Sequence, residues 1–94
     1  LAFDYLTYTR NALRLKTTAF DTEITDLIAA AKTTMYYAGV GDDKEPTGVY
    51  HAAVATWVKA HFGNVTPESK RAYIECYNSM VNQLALADAE GGGE

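Results

Sequence analysis

The run from Phe20 to Met35 constrains this chain more than any other feature. Phe20, Ile24, Leu27, Ile28, Ala31 and Met35 fall within about 100° of one another on a helical wheel, while Glu23, Thr25, Asp26, Lys32 and Thr33 fall outside that arc or at its edge. A stripe of this period belongs to a helix, and a helix with one apolar face is stable in water only when that face packs against other elements. The hydroxyl of Thr18 is placed to cap this helix at the amide of Asp21, and Asp21 and Glu23 put acids in the first turn, where the helix dipole favours them. Gly39 is placed to end it as a C-terminal cap.

Three further segments repeat the same period. Tyr5, Leu6, Thr9, Ala12 and Leu13 form a short first stripe, predicted to end around residues 14–15. After a loop over residues 39–48 (GVGDDKEPTG), a third helix is predicted from Thr47 or Gly48 to Phe62. It buries Tyr50, Ala53, Val54, Trp57, Val58 and His61 on one side, with Trp57 as the largest contribution to the core, and Gly63 stops it. Thr66-Pro67-Glu68 then sets a hydroxyl at the cap, proline at the first helical position and an acid in the first turn. The fourth stripe is Tyr73, Cys76, Tyr77, Met80, Val81 and Leu84, fraying toward Ala87 before a GGGE ending. The fold expected is all-α: a small bundle of about four helices, one short and N-terminal, three longer. It forms one domain over residues 1–87 with a flexible C-terminal tail over residues 88–94.

Ninety-four residues with 48% hydrophobic and 21% charged side chains suffice for one modest core without staples. A net charge of -4, with the eight basic residues scattered, argues against tight nonspecific binding to nucleic acid, whose phosphates are held by clustered Lys and Arg. Cys76 is the only cysteine, so an internal disulfide and a cysteine-rich zinc site are excluded and a reduced, intracellular origin is expected. No apolar run reaches the ~18–20 residues of a membrane span. The chain opens on Leu1 rather than Met, which suggests that residues precede it.

No catalytic or metal constellation emerges. His51 and His61 lie on one predicted helix about 15 Å apart, too far to share a metal from one chain, and His61 reads as a rim histidine near a helix C-terminus. Cys76 lies on the apolar stripe, where a free cysteine packs rather than reacts. Gly39, Gly41 and Gly48 follow no strand and precede no Gly-Lys-Ser/Thr, so they form no phosphate loop. Asp42, Asp43 and Glu45 lack the twelve-position ligand pattern of a calcium loop. The expectation is a non-enzyme without a cofactor.

What a minimal core leaves unexplained is the seven tyrosines. Tyr36 and Tyr37 project outside the second stripe, Phe62 lies off the Tyr50–Trp57–His61 face, and Leu86 is opposite its own. Tyrosine suits surfaces that are apolar in body and wet at one end, and it is enriched at protein contacts. These residues are either interfacial or covers for the ends of neighbouring helices.

Two runs carry a family resemblance. NALRLKTTAFDTEITDLIAAAK over residues 11–32 and AAVATWVKAHFGNVTPESKRAYIECYNSMVNQLAL over residues 52–86, joined by a short acidic loop, resemble the small helical head-tail connector (adaptor, or DNA-packaging) proteins of tailed bacteriophages and prophages. The matching positions are Asp21, Glu23, Ile24, Leu27, Ile28, Ala30 and Ala31, and the WVKAHFG run from Trp57 to Gly63. These are packing patterns, so the resemblance transfers no catalytic residue. It implies a virion structural protein of the head-tail neck, assembled in the host cytoplasm. Its copies would form a ring beneath the portal protein, twelvefold to match it. That ring would extend the channel through which the genome DNA slides unbound, and dock the next head-completion or tail protein. By the same analogy the N-terminal helix around Tyr5 and Tyr8 and the stretch over residues 84–94 are docking pieces. Two other classes remain open. One is a small helix-turn-helix DNA-binding phage protein, a regulator or terminase small subunit, for which the fourth helix offers Lys70 and Arg71. The other is a helical enzyme or cofactor carrier, for which no convergent polar groups are found.

Overall fold

The structure is a computed structural model that describes residues 3–40 and 48–92, with side chains described as far as Leu86. Four helices follow in order: α1 (Tyr5–Ala12), α2 (Asp21–Tyr37), α3 (Gly48–His61) and α4 (Pro67–Gly92). No strand occurs among the described residues, so the all-α expectation holds. The loop expected over residues 39–48 lies largely outside the described residues, as do Gly93 and Glu94 and the side chains of the expected tail.

The core is the α2 stripe closed by the other helices. Ile24, Ile28, Ala31 and Met35, four and three residues apart, are buried in one cluster with Tyr50, Ala53, Val54 and Val58 of α3 and Tyr77 and Val81 of α4. Each fully buried Ile, Val or Met contributes about 1.5–3 kcal/mol of transfer free energy. Helix α3 is central: it packs against all three others, and the burial of Ala55 and Ala60 outside its main stripe reflects this. Leu27, Trp57, Met80 and Leu84, all expected in the core, are partly buried against it.

Several expectations are corrected. Phe20 is 42% exposed, because it sits at the N-cap of α2 rather than inside it, its ring edge-on to Phe62 at 5.6 Å. Thr18 supplies only its carbonyl, to the Asp21 amide, and α2 has no side-chain cap. Trp57 is half-buried, so the largest fully buried side chains are Ile24, Met35, Val54, Val58 and Thr9. Tyr73 is half-buried at a groove wall. His61 is exposed, stacked on Trp57 at 3.9 Å with Nδ1 2.9 Å from the Trp57 carbonyl. Cys76 is exposed as well: α3 is the main partner of α4, and Cys76 lies at the edge of the α4 stripe, beside the buried Tyr77. Tyr5 and Phe62, candidate interface residues, pack partly buried against the core, with part of each side chain still open to a contact.

The helix ends follow local chemistry. Asp4 caps α1, taking the Thr7 amide at 3.1 Å and the Thr7 hydroxyl at 2.7 Å. These bonds to Thr7, the hydroxyl's first, hold its carboxyl below the usual carboxylate value. Helix α1 ends at Ala12, slightly earlier than expected, with Arg14 at φ +62°. There the Arg14 amide bonds to the Asn11 carbonyl at 3.0 Å and the Leu15 amide to that of Arg10 at 3.1 Å, the paired closure of a left-handed helix cap. Helix α2 ends the same way, as expected at Gly39: φ is +98°, with Gly39 amide to Tyr36 carbonyl at 3.1 Å and Val40 amide to Met35 carbonyl at 3.0 Å. Val40 then tucks into the core beside Met35. Gly63, at φ +71°, follows α3, and the Thr66 hydroxyl caps α4 at the Ser69 amide, 3.1 Å away.

Candidate interaction surfaces at the two ends of the bundle

Ring contacts fix the direction of every helix. Phe3, before α1, stacks on His51 of the first turn of α3 at 3.6 Å, so α1 and α3 start at the same end. Phe20, before α2, meets Phe62, after α3, and Lys59 near the end of α3 lies 5.9 Å over Tyr73 near the start of α4. Helices α2 and α4 therefore run antiparallel to α3. One end of the bundle gathers the starts of α1 and α3 with the finishes of α2 and α4; the other gathers the reverse.

The first end is an aromatic surface. Of the seven large hydrophobic residues exposed most, six sit there or face it: Phe3, Tyr8, Tyr36, Tyr37, Val49 and Leu86, with Phe20 the exception at the far end. Tyr36 and Tyr37 are 67% and 82% exposed and edge-on to each other at 5.8 Å; Leu86 is 64% exposed. The four most solvent-facing of the candidate interface residues, Tyr8, Tyr36, Tyr37 and Leu86, thus converge on one end. Tyr5 is held inward there, edge-on to His51 at 5.3 Å and with the Lys32 ammonium 3.9 Å from its ring centroid; Phe62 is at the opposite end. Phe3 and Val49 join this surface unannounced by periodicity. Monomeric proteins seldom leave apolar side chains gathered this way, and such patches serve as contact surfaces.

The far end carries an open groove of about 500 Å³ between the end of α1, the end of α3 and the start of α4. Ala12, Leu13, Val65 and Tyr73 supply its apolar lining, and Arg14, Lys59, Asn64, Thr66 and Ser69 its polar groups. Nearby, Arg10 grips Asp21 through two bonds, Nε to Oδ1 at 3.2 Å and Nη2 to Oδ2 at 3.3 Å, which pins α1 to the start of α2. That is the only ion pair among the described residues, so Arg14 keeps its charge uncompensated by a direct partner.

Among the described residues no three His, Cys, Asp or Glu side chains converge on a possible metal position. Two buried hydroxyls, Thr9 Oγ1 and Tyr77 Oη, meet no hydrogen-bond partner among the described residues, and burial pushes the Tyr77 phenol above its usual value. Among the described residues no helix is long and apolar enough to cross a membrane. In comparisons with known proteins the chain matches no family model, no curated protein and no solved structure.

Proposed function

We propose that this chain is a structural adaptor subunit that docks through its aromatic end, as a head-tail connector copy in a ring beneath a phage portal. The observation that carries the docking part is the convergence of Tyr8, Tyr36, Tyr37, Val49 and Leu86 on one end of a bundle whose core is complete without them. The packing-pattern resemblance over residues 11–32 and 52–86 supports the connector part. On this reading the partners are the portal protein, neighbouring copies and the next head-completion or tail protein. A net charge of -4 suits a conduit along which DNA slides without being held.

The test is electron microscopy of the protein mixed with its portal. An added ring of density at the portal's own symmetry, lost in the Tyr36→Ala/Tyr37→Ala double variant while that variant keeps its stability, is the expected result. No added density, together with tight salt-dependent binding to duplex DNA, transfers the assignment to a small DNA-binding protein that uses Lys70 and Arg71.

A further inference from the structure

The described basic residues are unevenly placed along the bundle. Of the described basic residues, the aromatic half carries Lys32 alone. The groove half holds the other six basic residues against five acids. The half where the other described basic residues gather is the one in which the groove opens.

We propose that the groove receives the acidic C-terminal segment of a second copy, residues 87–94, so that copies associate head to tail. The inference rests on the adaptor reading only in taking another copy as the occupant; it names the contact between copies, which that reading leaves open. Three observations carry it. The groove's polar side chains include the cations Arg14 and Lys59 and no acid. The Thr66 hydroxyl already satisfies the first turn of α4, so the attraction lies with those two side chains. The segment after Leu86, ADAEGGGE, consists of three acids and residues no larger than alanine, which suits an open groove whose apolar lining includes Ala12, Leu13 and Val65. Its own groove is out of reach: with α4 helical to Gly92, Asp88 stands about 28 Å along the axis from Ser69. The contact is heterologous, since one end of a copy meets the other end of the next, and such contacts close into rings or run on as filaments according to the rotation between copies.

The experiment is a complementation. Arg14→Glu/Lys59→Glu removes the groove's charge and keeps the tail, while Asp88→Asn/Glu90→Gln/Glu94→Gln keeps the groove and neutralises the tail. By sedimentation equilibrium at low salt the wild type self-associates, and each variant alone does so at least tenfold more weakly. Mixing the two variants restores a one-to-one complex, and ~0.5 M salt dissociates it. Amide shifts in the labelled tail variant fall on Arg14, Lys59, Asn64, Thr66 and Ser69. A Lys16→Glu/Lys70→Glu control, with the same change in charge away from the groove, associates like the wild type. The inference is overturned if the mixture stays monomeric, if the control weakens association as much as the groove variant does, or if the shifts fall elsewhere. Should the groove variant not fold, labelled tail variant titrated with unlabelled wild type decides it by the same shifts. A tail variant that still adds a ring to the portal removes this contact and leaves the adaptor standing; complementation without portal density does the opposite.

Discussion

Arg14→Gly is expected to stabilise the protein, and the reasoning is separable from every functional claim. Arg14 is a non-glycine residue at φ +62°, in the position after α1 where the chain reverses into the cap bonds to Asn11 and Arg10. An L-residue there costs roughly 1–2 kcal/mol relative to glycine, and glycine returns about 0.5–1 kcal/mol of that through its larger unfolded-state entropy. The side chain makes no ion pair among the described residues, so little offsets the difference. The net gain is about 0.5–1 kcal/mol, which for a domain of this size raises the midpoint of thermal unfolding by roughly 3–6 °C and the urea midpoint by ~0.5 M. Gly39→Ala supplies the mirror experiment. A Cβ there meets nothing within 4 Å, so its cost of about 1 kcal/mol or more comes from φ +98° alone. Thermal and urea unfolding followed by circular dichroism measure both. A destabilised Arg14→Gly, or a neutral Gly39→Ala, refutes the argument.

Other consequences follow from burial and charge. Ile24→Ala or Met35→Ala, at fully buried positions, should each cost about 2–5 kcal/mol in urea unfolding, whereas Phe20→Ala, at an exposed position, should cost far less. Tyr77→Phe removes a buried hydroxyl without a partner among the described residues and should be neutral or stabilising by up to ~1 kcal/mol near neutral pH. Because burial raises the Tyr77 phenol's pKa, the unfolded chain loses this proton first, so stability falls as pH climbs above the unfolded value of ~10; Tyr77→Phe should flatten that alkaline limb. Asp4 behaves inversely. Its folded pKa is lowered by Thr7, so its contribution is present above ~4 and lost as pH falls through the folded value, and Asp4→Asn should shrink the acid-side slope of an unfolding titration.

Much of the fold is legible because the α2 stripe at positions 24, 28, 31 and 35 leaves a helix only one way to hide it, and because Gly39, Gly63 and Thr66-Pro67 punctuate the chain with unambiguous chemistry. The errors share a cause. Phe20, His61 and Cys76 lie at the first, last or lateral edge of their stripes, and a wheel assigns direction without saying where a helix starts or how wide its neighbours are. Moving the start of α2 past Phe20 is enough to turn a core residue into an exposed cap. Val40 was hidden for the opposite reason: it lies beyond the helix, and only the bonds closing the cap at Gly39 fold it back beside Met35. The Arg10–Asp21 pair spans eleven residues across a turn, outside any single period, and so has no signature in either helix.

The candidate surfaces divide along the same line. That Tyr36, Tyr37 and Leu86 leave the core is readable from each helix alone, since each sits off its own stripe. That they converge on one end, and that Arg14 and Lys59 share a groove at the other, depends on helix direction, which emerges only when Phe3 meets His51 and Phe20 meets Phe62. The scattered basic residues of the linear sequence become, once the helices alternate, six on one half and, among the described residues, Lys32 alone on the other. A subunit built this way presents two unlike ends, one with exposed apolar side chains and one with a groove lined by two cations. A groove lined by Arg14 and Lys59 with no acid attracts an acidic segment and not a second groove, which favours a directional contact over a symmetric one at that end.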